Sequence, residues 1–389
     1  MTIEQFRLDV PETDLKDLHE RLDRVRWPAE LPGAGWSRGV PLAYLQDLVE
    51  YWRTGYDWRA AEARLNEWPQ FTTTIDGANV HFAHIRSPEP DATPLIVTHG
   101  WPGSFVEFSE IVGPLTDPRA YGADPANAFH LVLPSIPGFG LSGPTQEPGW
   151  EFLRVTNAWS VLMARLGYDR YGAQGGDWGG GISRELGRID AEHVIGVHLN
   201  LIPNSGATSE PTPAELEPLD QAERDRTWAS WRRFQEWLKD KQGYADLQST
   251  RPQTLAYALT DSPVGQLAWI AEKFATWSDP ASVIDRDHLL TNVMLFWLTR
   301  TGGSSGAIYY ERAHASYWGQ PAEPSTTPTA LLDLAHDNFI PLRHKVDRTD
   351  NIVRWTSHPD GGHFAALEQP GVLVTDIRAF FAALRTTES

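Results

Sequence analysis

Hydrophobic positions recur along this chain with two different periods, and the change of period divides the sequence. Across positions 1–70, apolar side chains recur every three or four positions in two stripes, at 15–25 and 42–52. This spacing predicts two amphipathic helices, and neither stripe contains residues suited to chemistry. Residues 71–85 instead form two alternating runs on either side of Asp76-Gly77, a dipeptide that favours tight turns. This segment is therefore predicted to be a β-hairpin.

Short runs of apolar, often β-branched residues follow the hairpin, and each predicts a buried strand. They lie at 95–98, 129–133, 170–173, 194–199, 330–335 and 352–356. Helical stretches separate several of these runs, which is typical of parallel βαβ units. A last amphipathic stretch at 372–384 predicts a closing helix. The whole pattern predicts an α/β fold with a mostly parallel sheet and helices on both faces.

The long stretch between the fourth and fifth of these strands shows no strand alternation. Its aromatic and apolar positions, spaced as on a helix face, predict helices at 228–237, 267–277 and 289–298. We interpret this stretch as a helical cap inserted into the α/β core. The predicted organisation is an N-terminal extension of helices and hairpin packed on core and cap (1–90), a first core segment (91–203), the cap (204–318) and a second core segment (319–389).

Composition narrows the classes of partner and the compartment. The 389 residues include 33 Lys and Arg but 51 Asp and Glu, a net charge of −18. This charge argues against nucleic acid and anionic membranes as partners, because both attract basic patches. Cysteine is absent, which excludes disulfides and thiolate metal sites. The charged N-terminal residues do not form a signal peptide, and no apolar run approaches the roughly 20 residues of a membrane span, so the cytoplasm is the expected location.

The stretch from Gln174 to Gly180 carries the strongest chemical signal. It lies between a strand-like and a helix-like run, which is the context of a nucleophile elbow. Glycines at 175 and 179 let strand and helix approach without Cβ clashes. The residue at the tip is Asp177, and an aspartate nucleophile attacks sp3 carbon and forms an ester with the enzyme. The motif favours a hydrolase of epoxides or alkyl halides, although alone it also fits a glycine-rich turn with a solvated aspartate.

The loop His99-Gly100-Trp101-Pro102 follows a predicted strand. In α/β-hydrolases, a loop at this place gives one backbone N–H to the oxyanion hole, and the residue after the nucleophile gives the other. The predicted donors are therefore Trp101 and Trp178. The alternative interpretation is an ordinary strand-ending turn that contains a proline.

His363 is the predicted base among 13 histidines. It lies in a glycine-rich loop after the last strand and before the last helix, where the order nucleophile, acid, histidine requires it. The orienting acid should follow the strand before, which favours Asp337. Asp333 lies inside that run and is predicted to be a strand position, whereas the other nearby aspartates are predicted to be turn residues on the surface: Asp347, Asp350 and Asp360.

An epoxide oxygen must be polarised as its C–O bond breaks, and a tyrosine hydroxyl, which is still protonated near pH 7, suits this task. The predicted cap offers Tyr244 and, close together, Tyr309 and Tyr310. Each of these tyrosines also fits a simple packing role, and the residues alone do not choose between them.

Three separated motifs together resemble the epoxide hydrolase family of the α/β-hydrolase fold: the elbow around Asp177, the loop at 99–102 and the run at 361–370. Residues 6–28 resemble the start of the N-terminal extension of the microsomal-type subgroup. The cap segments 261–265 and 272–277 resemble it as well, so the likeness covers nearly the whole chain. Membrane-anchored members carry a hydrophobic N-terminal helix that this sequence lacks, and the chain is therefore expected to be soluble.

The resemblance implies a role for each candidate residue. Tyr244 and Tyr309 match the two epoxide-activating tyrosines, and Asp337 matches the acid of the charge relay. With Asp177 and His363, they would convert an epoxide and water into a vicinal diol, with no cofactor and no metal. Family habit favours a homodimer. The most similar members are bacterial ones that act in secondary metabolism, including enediyne antibiotic pathways.

Three other functions compete with this one. A haloalkane dehalogenase also uses an aspartate nucleophile, and Trp178 fits it because a tryptophan after the nucleophile can bind halide. The N-terminal extension and the cap tyrosines favour the epoxide. A non-catalytic binding protein is disfavoured by the full set of nucleophile, acid and base, and a serine esterase by the absence of serine from the elbow.

Overall fold

The computed structural model describes residues 2–316 and 323–387. Within them, nine strands form one sheet in the order β1-β2-β3-β5-β4-β6-β7-β8-β9. The strands are β1 (Glu4–Phe6), β2 (Gln70–Ile75), β3 (Ala78–Ile85), β4 (Thr93–Thr98), β5 (Phe129–Pro134), β6 (Tyr171–Gly175), β7 (Val194–Leu199), β8 (Pro328–Leu334) and β9 (Asn351–His358). The first three and the β3–β5 pair run antiparallel, and the six strands from β4 to β9 are parallel. The predicted mostly parallel α/β fold is therefore confirmed.

Sixteen α-helices lie in the described residues. They are α1 (Glu12–Leu22), α2 (Leu42–Thr54), α3 (Trp58–Leu65), α4 (Ser109–Thr116), α5 (Phe152–Arg165), α6 (Asp177–Ile189), α7 (Pro213–Leu216), α8 (Gln221–Asp240), α9 (Gly243–Thr250), α10 (Pro252–Asp261), α11 (Pro263–Trp277), α12 (Arg286–Thr299), α13 (Ala307–Ala313), α14 (Arg343–Val346), α15 (Ala365–Glu368) and α16 (Pro370–Thr387). Helices α1 to α3 lie between β1 and β2, α7 to α13 follow one another between β7 and β8, and the others lie between or after the remaining strands. None of the sixteen is long and apolar enough to cross a membrane.

The hairpin forms where the alternating pattern predicts it. Asp76 and Gly77 connect β2 to β3, and both have positive φ, +47° and +80°. A two-residue turn of this handedness matches the twist of the flanking strands, and glycine and aspartate adopt it at low cost. The short strand β1 was not predicted. It pairs with β2 from Glu4↔Thr72 to Phe6↔Gln70, so its partner lies far along the chain, beyond three helices.

The stretch between β7 and β8 is helical from α7 to α13, with no strand among its described residues. The predicted aromatic stripe at 228–237 lies in α8, and the other two predicted helices correspond to α11 and α12. The predicted end of the cap at 318 and the start of the second core segment at 319 lie outside the described residues.

The N-terminal helices contact these inserted helices directly. Arg21 on α1 donates to the carbonyl oxygen of Asp261 over 2.8 Å. Tyr51 on α2 donates to Asp287 Oδ1 over 2.7 Å, in the first turn of α12. Each bond joins residues that are distant in sequence. The N-terminal helices therefore hold the inserted helices in place over the ends of the parallel strands.

Candidate active site

The elbow is a tight connection between β6 and α6. β6 ends at Gly175 and α6 begins at Asp177, whose φ of +49° is left-handed. Aspartate is one of the few residues other than glycine that adopt this conformation readily. A Cβ at Gly179 would lie 1.8 Å from the carbonyl oxygen of Thr98, and one at Gly175 would lie 2.2 Å from that of Gly179. Helix and sheet therefore approach closely enough to hold Asp177 at the strand ends only because these positions are glycine.

The two carboxylate oxygens of Asp177 have different neighbours. Oδ1 accepts a hydrogen bond from the backbone N–H of Trp101 over 2.7 Å. Oδ2 lies 3.4 Å from Nε2 of His363. Trp178 follows as the second residue of α6, so its N–H is among the first four of the helix, which have no carbonyl partner within it. Both predicted oxyanion donors thus lie at the carboxylate or in the adjoining helical turn, where the helix dipole favours negative charge.

His363 lies between the carboxylate of Asp177 and a second carboxylate. It lies between β9 and α15, and its Nδ1 is 2.9 Å from Oδ1 of Asp337. Its backbone N–H donates to the carbonyl oxygen of Trp277 over 3.0 Å, which fixes the loop against α11. Burial lowers the pKa of His363, but the carboxylates of Asp337 and Asp177 outweigh burial and raise this pKa well above its ordinary value. The ring is therefore an imidazolium in the free protein near neutral pH.

The other candidate acids have different partners. Asp333 lies inside β8, as predicted, and Nη2 of Arg226 donates to its carboxylate over 2.6 Å. The prediction that Asp350 lies on the surface is wrong: it is buried, because its carboxylate is paired with Arg184 and Arg188. Asp337, three residues past the end of β8, is the aspartate whose side chain is bonded to His363 on the side away from Asp177.

Two of the three predicted tyrosines meet above the elbow. Tyr244 on α9 stacks on the ring of Trp101 with centroids 5.0 Å apart, and Tyr309 on α13 packs edge-on against Trp178 at 4.8 Å. Their hydroxyl oxygens are 3.5 Å apart. Burial, reinforced by the charge on Asp177, raises the pKa of both phenols, so both stay protonated and can donate hydrogen bonds. Tyr310 instead stacks on His314, with ring centroids 4.0 Å apart.

The side chains of Asp177, His363 and Asp337 thus lie close to the N–H of Trp101 and to two tyrosine hydroxyls, and together they could supply a nucleophile, a base with an orienting acid, and hydrogen-bond donors. This set suits displacement at carbon by a carboxylate, with protons supplied to a departing oxygen, followed by hydrolysis of the ester. Among the described residues, no group of three or more His, Cys, Asp or Glu side chains is arranged to hold a metal ion.

Comparison with known proteins agrees with this chemistry. The family model "Epoxide hydrolase N terminus" matches residues 3–108, and the model "alpha/beta hydrolase fold" matches residues 93–370. Epoxide hydrolase 1 of Sus scrofa is 33% identical over 405 residues, which cover 98% of this chain and 89% of that protein. The chain belongs to the epoxide hydrolase family. A Stigmatella aurantiaca protein that is provisionally named an epoxide hydrolase is 43% identical over 391 residues, 98% of this chain and 86% of its own length.

The fold of this epoxide hydrolase is shared with a solved relative. The crystal structure of juvenile hormone epoxide hydrolase from the silkworm Bombyx mori matches it with a TM-score of 0.88 at 29% identity, and the match covers 100% of this chain and 96% of that one. The α/β-hydrolase fold and the epoxide hydrolase type of N-terminal segment, both expected from the sequence motifs, are thereby confirmed.

Two charged residues at the site of this epoxide hydrolase were not predicted. Glu107 lies in the 3-10 turn Phe105–Phe108 after the Trp101 loop, and its only sequence signal is a lone carboxylate in an apolar run. Lys273 on α11 is 3% exposed, pairs with Glu272, and places its ammonium 4.8 Å from the ring centre of Tyr244. An ammonium group at this distance over the face of an aromatic ring is attracted by the negative charge density of that face.

Proposed function

We propose that this epoxide hydrolase opens its substrate through a covalent ester on Asp177, which is then hydrolysed with His363 as the base. The observation that supports this most directly is the line of contacts from Trp101 N–H to Asp177, from Asp177 to His363 and from His363 to Asp337. It provides the nucleophile, a base within reach of it and an acid that orients the base.

In the first half-reaction, the Asp177 carboxylate attacks one epoxide carbon and the C–O bond to that carbon breaks. Tyr244 and Tyr309 donate hydrogen bonds to the departing oxygen, and one of them gives it a proton that solvent then replaces. Asp177 loses its charge as the ester forms. His363 thereby loses one of the two carboxylates that raise its pKa, so it releases a proton and becomes a neutral base.

In the second half-reaction, His363 removes a proton from water, and the resulting hydroxide adds to the ester carbonyl of Asp177. The oxyanion forms against the N–H groups of Trp101 and Trp178, and a lost donor in related acyl chemistry costs about 3–4 kcal/mol. The tetrahedral species then breaks its bond to the substrate oxygen, which takes the proton of the added hydroxyl group as it leaves. The products are a vicinal diol, a restored carboxylate on Asp177 and a restored imidazolium on His363.

Quenching with acid during the first turnover tests the ester. Peptide mass spectrometry should find the added mass of one epoxide on the peptide that contains Asp177. An adduct on a different residue, or a burst of diol with no adduct at any time, would contradict the proposal.

The class of leaving group is tested by substrate choice. Aryl, aliphatic and large polycyclic epoxides should be opened, with chiral analysis of the diols giving the preferred carbon and enantiomer. Chloroalkanes should release halide much more slowly, because the adjacent hydroxyls of Tyr244 and Tyr309 are placed to donate to an oxygen. Faster halide release than epoxide opening would favour the dehalogenase alternative.

Three finer predictions rest on the sequence and the family resemblance alone. They are a homodimer, a cytoplasmic location and a place in bacterial secondary metabolism such as an enediyne pathway. Light scattering tests the first, cell fractionation the second, and disruption of the gene with profiling of secreted metabolites the third. Unchanged metabolite profiles would remove the biosynthetic role and leave the hydrolase activity untouched.

A further inference from the structure

A small cavity borders Asp177, and neither Tyr244 nor Tyr309 is among the residues that line it. Its free volume is about 10 Å³, which is close to what a single water molecule requires. Apolar side chains, among them Phe108 and Phe364, form part of its wall. The polar side chains that reach it are Asp177, His363, Glu107, Gln174 and Asn200.

Gln174, which lines this cavity, has an acceptor without a hydrogen-bond partner among the described residues. It is the penultimate residue of β6, and its side chain is fully buried. Its Nε2 donates to Oδ1 of Asn200 over 3.0 Å, whereas its Oε1 has no hydrogen-bond partner among the described residues. The Asn200 amide is itself held against the elbow, since a Cβ at Gly176 would lie 2.3 Å from its Nδ2. A buried acceptor without a partner destabilises the folded protein unless a donor such as water reaches it.

Glu107 contributes a carboxyl group to the same cavity. Its side chain lies over the backbone of the Trp101 loop, where a Cβ at Gly103 would be 1.8 Å from Oε2. Burial raises the pKa of Glu107 to about 8; the charge on His363 opposes this shift and the charge on Asp177 adds to it. Glu107 therefore lies close enough to His363 and Asp177, the residues of the second half-reaction, for their charges to shift its pKa.

We infer that Gln174 and Glu107 bind the water molecule that hydrolyses the Asp177 ester and aim it between His363 and the ester carbonyl carbon. This inference rests on the proposed ester mechanism and adds two residues that this mechanism did not require. Both are residues that position water, because neither takes part in a bond that forms or breaks.

The chemistry of the step is complete with these groups. One O–H bond of the water breaks and its proton passes to Nε2 of His363, while a new bond forms from the water oxygen to Cγ of Asp177. The second O–H bond remains intact and donates to Oε1 of Gln174. Burial raises the pKa of Glu107 to about 8, so near neutral pH its carboxyl is protonated and donates to the water oxygen. Neither Tyr244 nor Tyr309, the proposed partners of the epoxide oxygen, lines this cavity, so we expect the first half-reaction not to use Gln174 and Glu107.

The two half-reactions can be timed separately in variants. Rapid-quench mass spectrometry with styrene oxide in excess gives the rate constant for ester formation and that for ester decay. Gln174→Met keeps the side-chain volume but removes the acceptor, and Glu107→Leu removes the carboxyl. Both should slow ester decay about tenfold or more while ester formation stays within about threefold of the wild type. Glu107→Gln replaces the carboxyl O–H donor with an amide N–H donor, so it should slow ester decay much less than Glu107→Leu.

Gln266 offers a matched control for Gln174. It is also a buried glutamine, its Nε2 donates to a backbone carbonyl over 3.0 Å and its Oε1 is likewise without a partner among the described residues. It does not border the cavity. Gln266→Met should lower thermal stability as Gln174→Met does but leave the ratio of the two rate constants unchanged.

The outcomes separate this inference from the mechanism on which it rests. Equal slowing of both half-reactions, or unchanged ester decay in both Gln174→Met and Glu107→Leu, would overturn the water site while the observed ester upheld the proposed function. The same ratio change in Gln266→Met would also overturn it. Absence of any ester in the wild type would overturn the proposed function and this inference together.

Discussion

The two walls of the active site are held in place by different means. The sheet wall bears Asp177, Asp337 and His363, and it is fixed through the backbone: a left-handed residue, glycines without room for a Cβ, and hydrogen bonds to main-chain atoms. The cap wall bears Tyr244 and Tyr309, which are fixed by ring packing on Trp101 and Trp178.

This difference separates the positions by function. A residue held by the backbone keeps its place when a neighbouring side chain changes, which suits groups that must meet within hydrogen-bond distance. Residues that are held by packing on a separate helical layer can be substituted together without moving the sheet wall. This arrangement suits a wall that contacts the substrate. The proposed mechanism follows the same division, because the cap wall acts on the epoxide oxygen and His363 with Asp337 acts on the ester.

The largest effect is expected on the sheet wall at the nucleophile. Asp177→Ala should lower kcat about 10⁴-fold or more, because no group remains to form the ester. Alanine at a φ of +49° costs about 1–2 kcal/mol, so thermal unfolding should show a modest loss and a folded protein. Substantial turnover by the folded variant would remove Asp177 from the mechanism.

The next largest effect is expected at the base, where a substitution should slow ester decay but not ester formation. His363→Ala removes the base but leaves Asp177 and the tyrosines, so we expect the ester to form and to decay about 10³-fold more slowly. Intact-protein mass spectrometry should show stoichiometric accumulation of the adduct. The double variant Asp177→Ala/His363→Ala is the control and should show none; an adduct there would place the ester elsewhere.

Substitutions in the cap wall should instead slow ester formation but not ester decay. Tyr244→Phe and Tyr309→Phe should each slow ester formation about 10²-fold, with a larger loss when combined, and leave ester decay nearly unchanged. Tyr310→Phe is the matched control on the same helix, since Tyr310 packs on His314 instead. Slower ester decay in the tyrosine variants would mean that the two walls do not divide the reaction in this way.

The smallest expected effect is a shift in pH dependence. In the free enzyme, burial lowers the pKa of His363, but Asp337 and Asp177 outweigh it and raise this pKa well above its ordinary value. The ester removes the charge on Asp177, so the pKa that controls ester decay should be lower, with decay faster above it. Ester decay measured against pH, compared with titration of His363 by NMR in the free enzyme, tests the sign. Equal pKa values in both states would contradict it.

The sheet wall was predictable from short-range features of the sequence. The elbow follows from glycine spacing around Asp177, and His363 and Asp337 follow from their order after the last two strands. These signals are local because the sheet wall is held by backbone conformation. The tyrosines were assigned only by family resemblance, since packing between α9, α13 and the Trp101 loop leaves no local pattern that separates Tyr309 from Tyr310.

Features that depend on distant contacts were missed. The short strand β1 forms only because β2, which lies beyond three helices in the chain, offers an edge for it to pair with. Glu107 and Gln174 acquire their character from enclosure beside Asp177, which no spacing along the chain reveals. The bounds of the predicted strands were close, by contrast, because apolar runs in a parallel sheet end where burial ends.

The measurement that tests the central claim most directly is a single turnover in 18O-labelled water with enzyme in excess of epoxide. An ester on Asp177 is hydrolysed by attack at its carbonyl carbon, so the label should enter the Asp177 carboxylate and the first diol formed should contain none. Label in the diol of the first turnover, with an unlabelled Asp177, would show that water attacks the epoxide itself and would contradict the account.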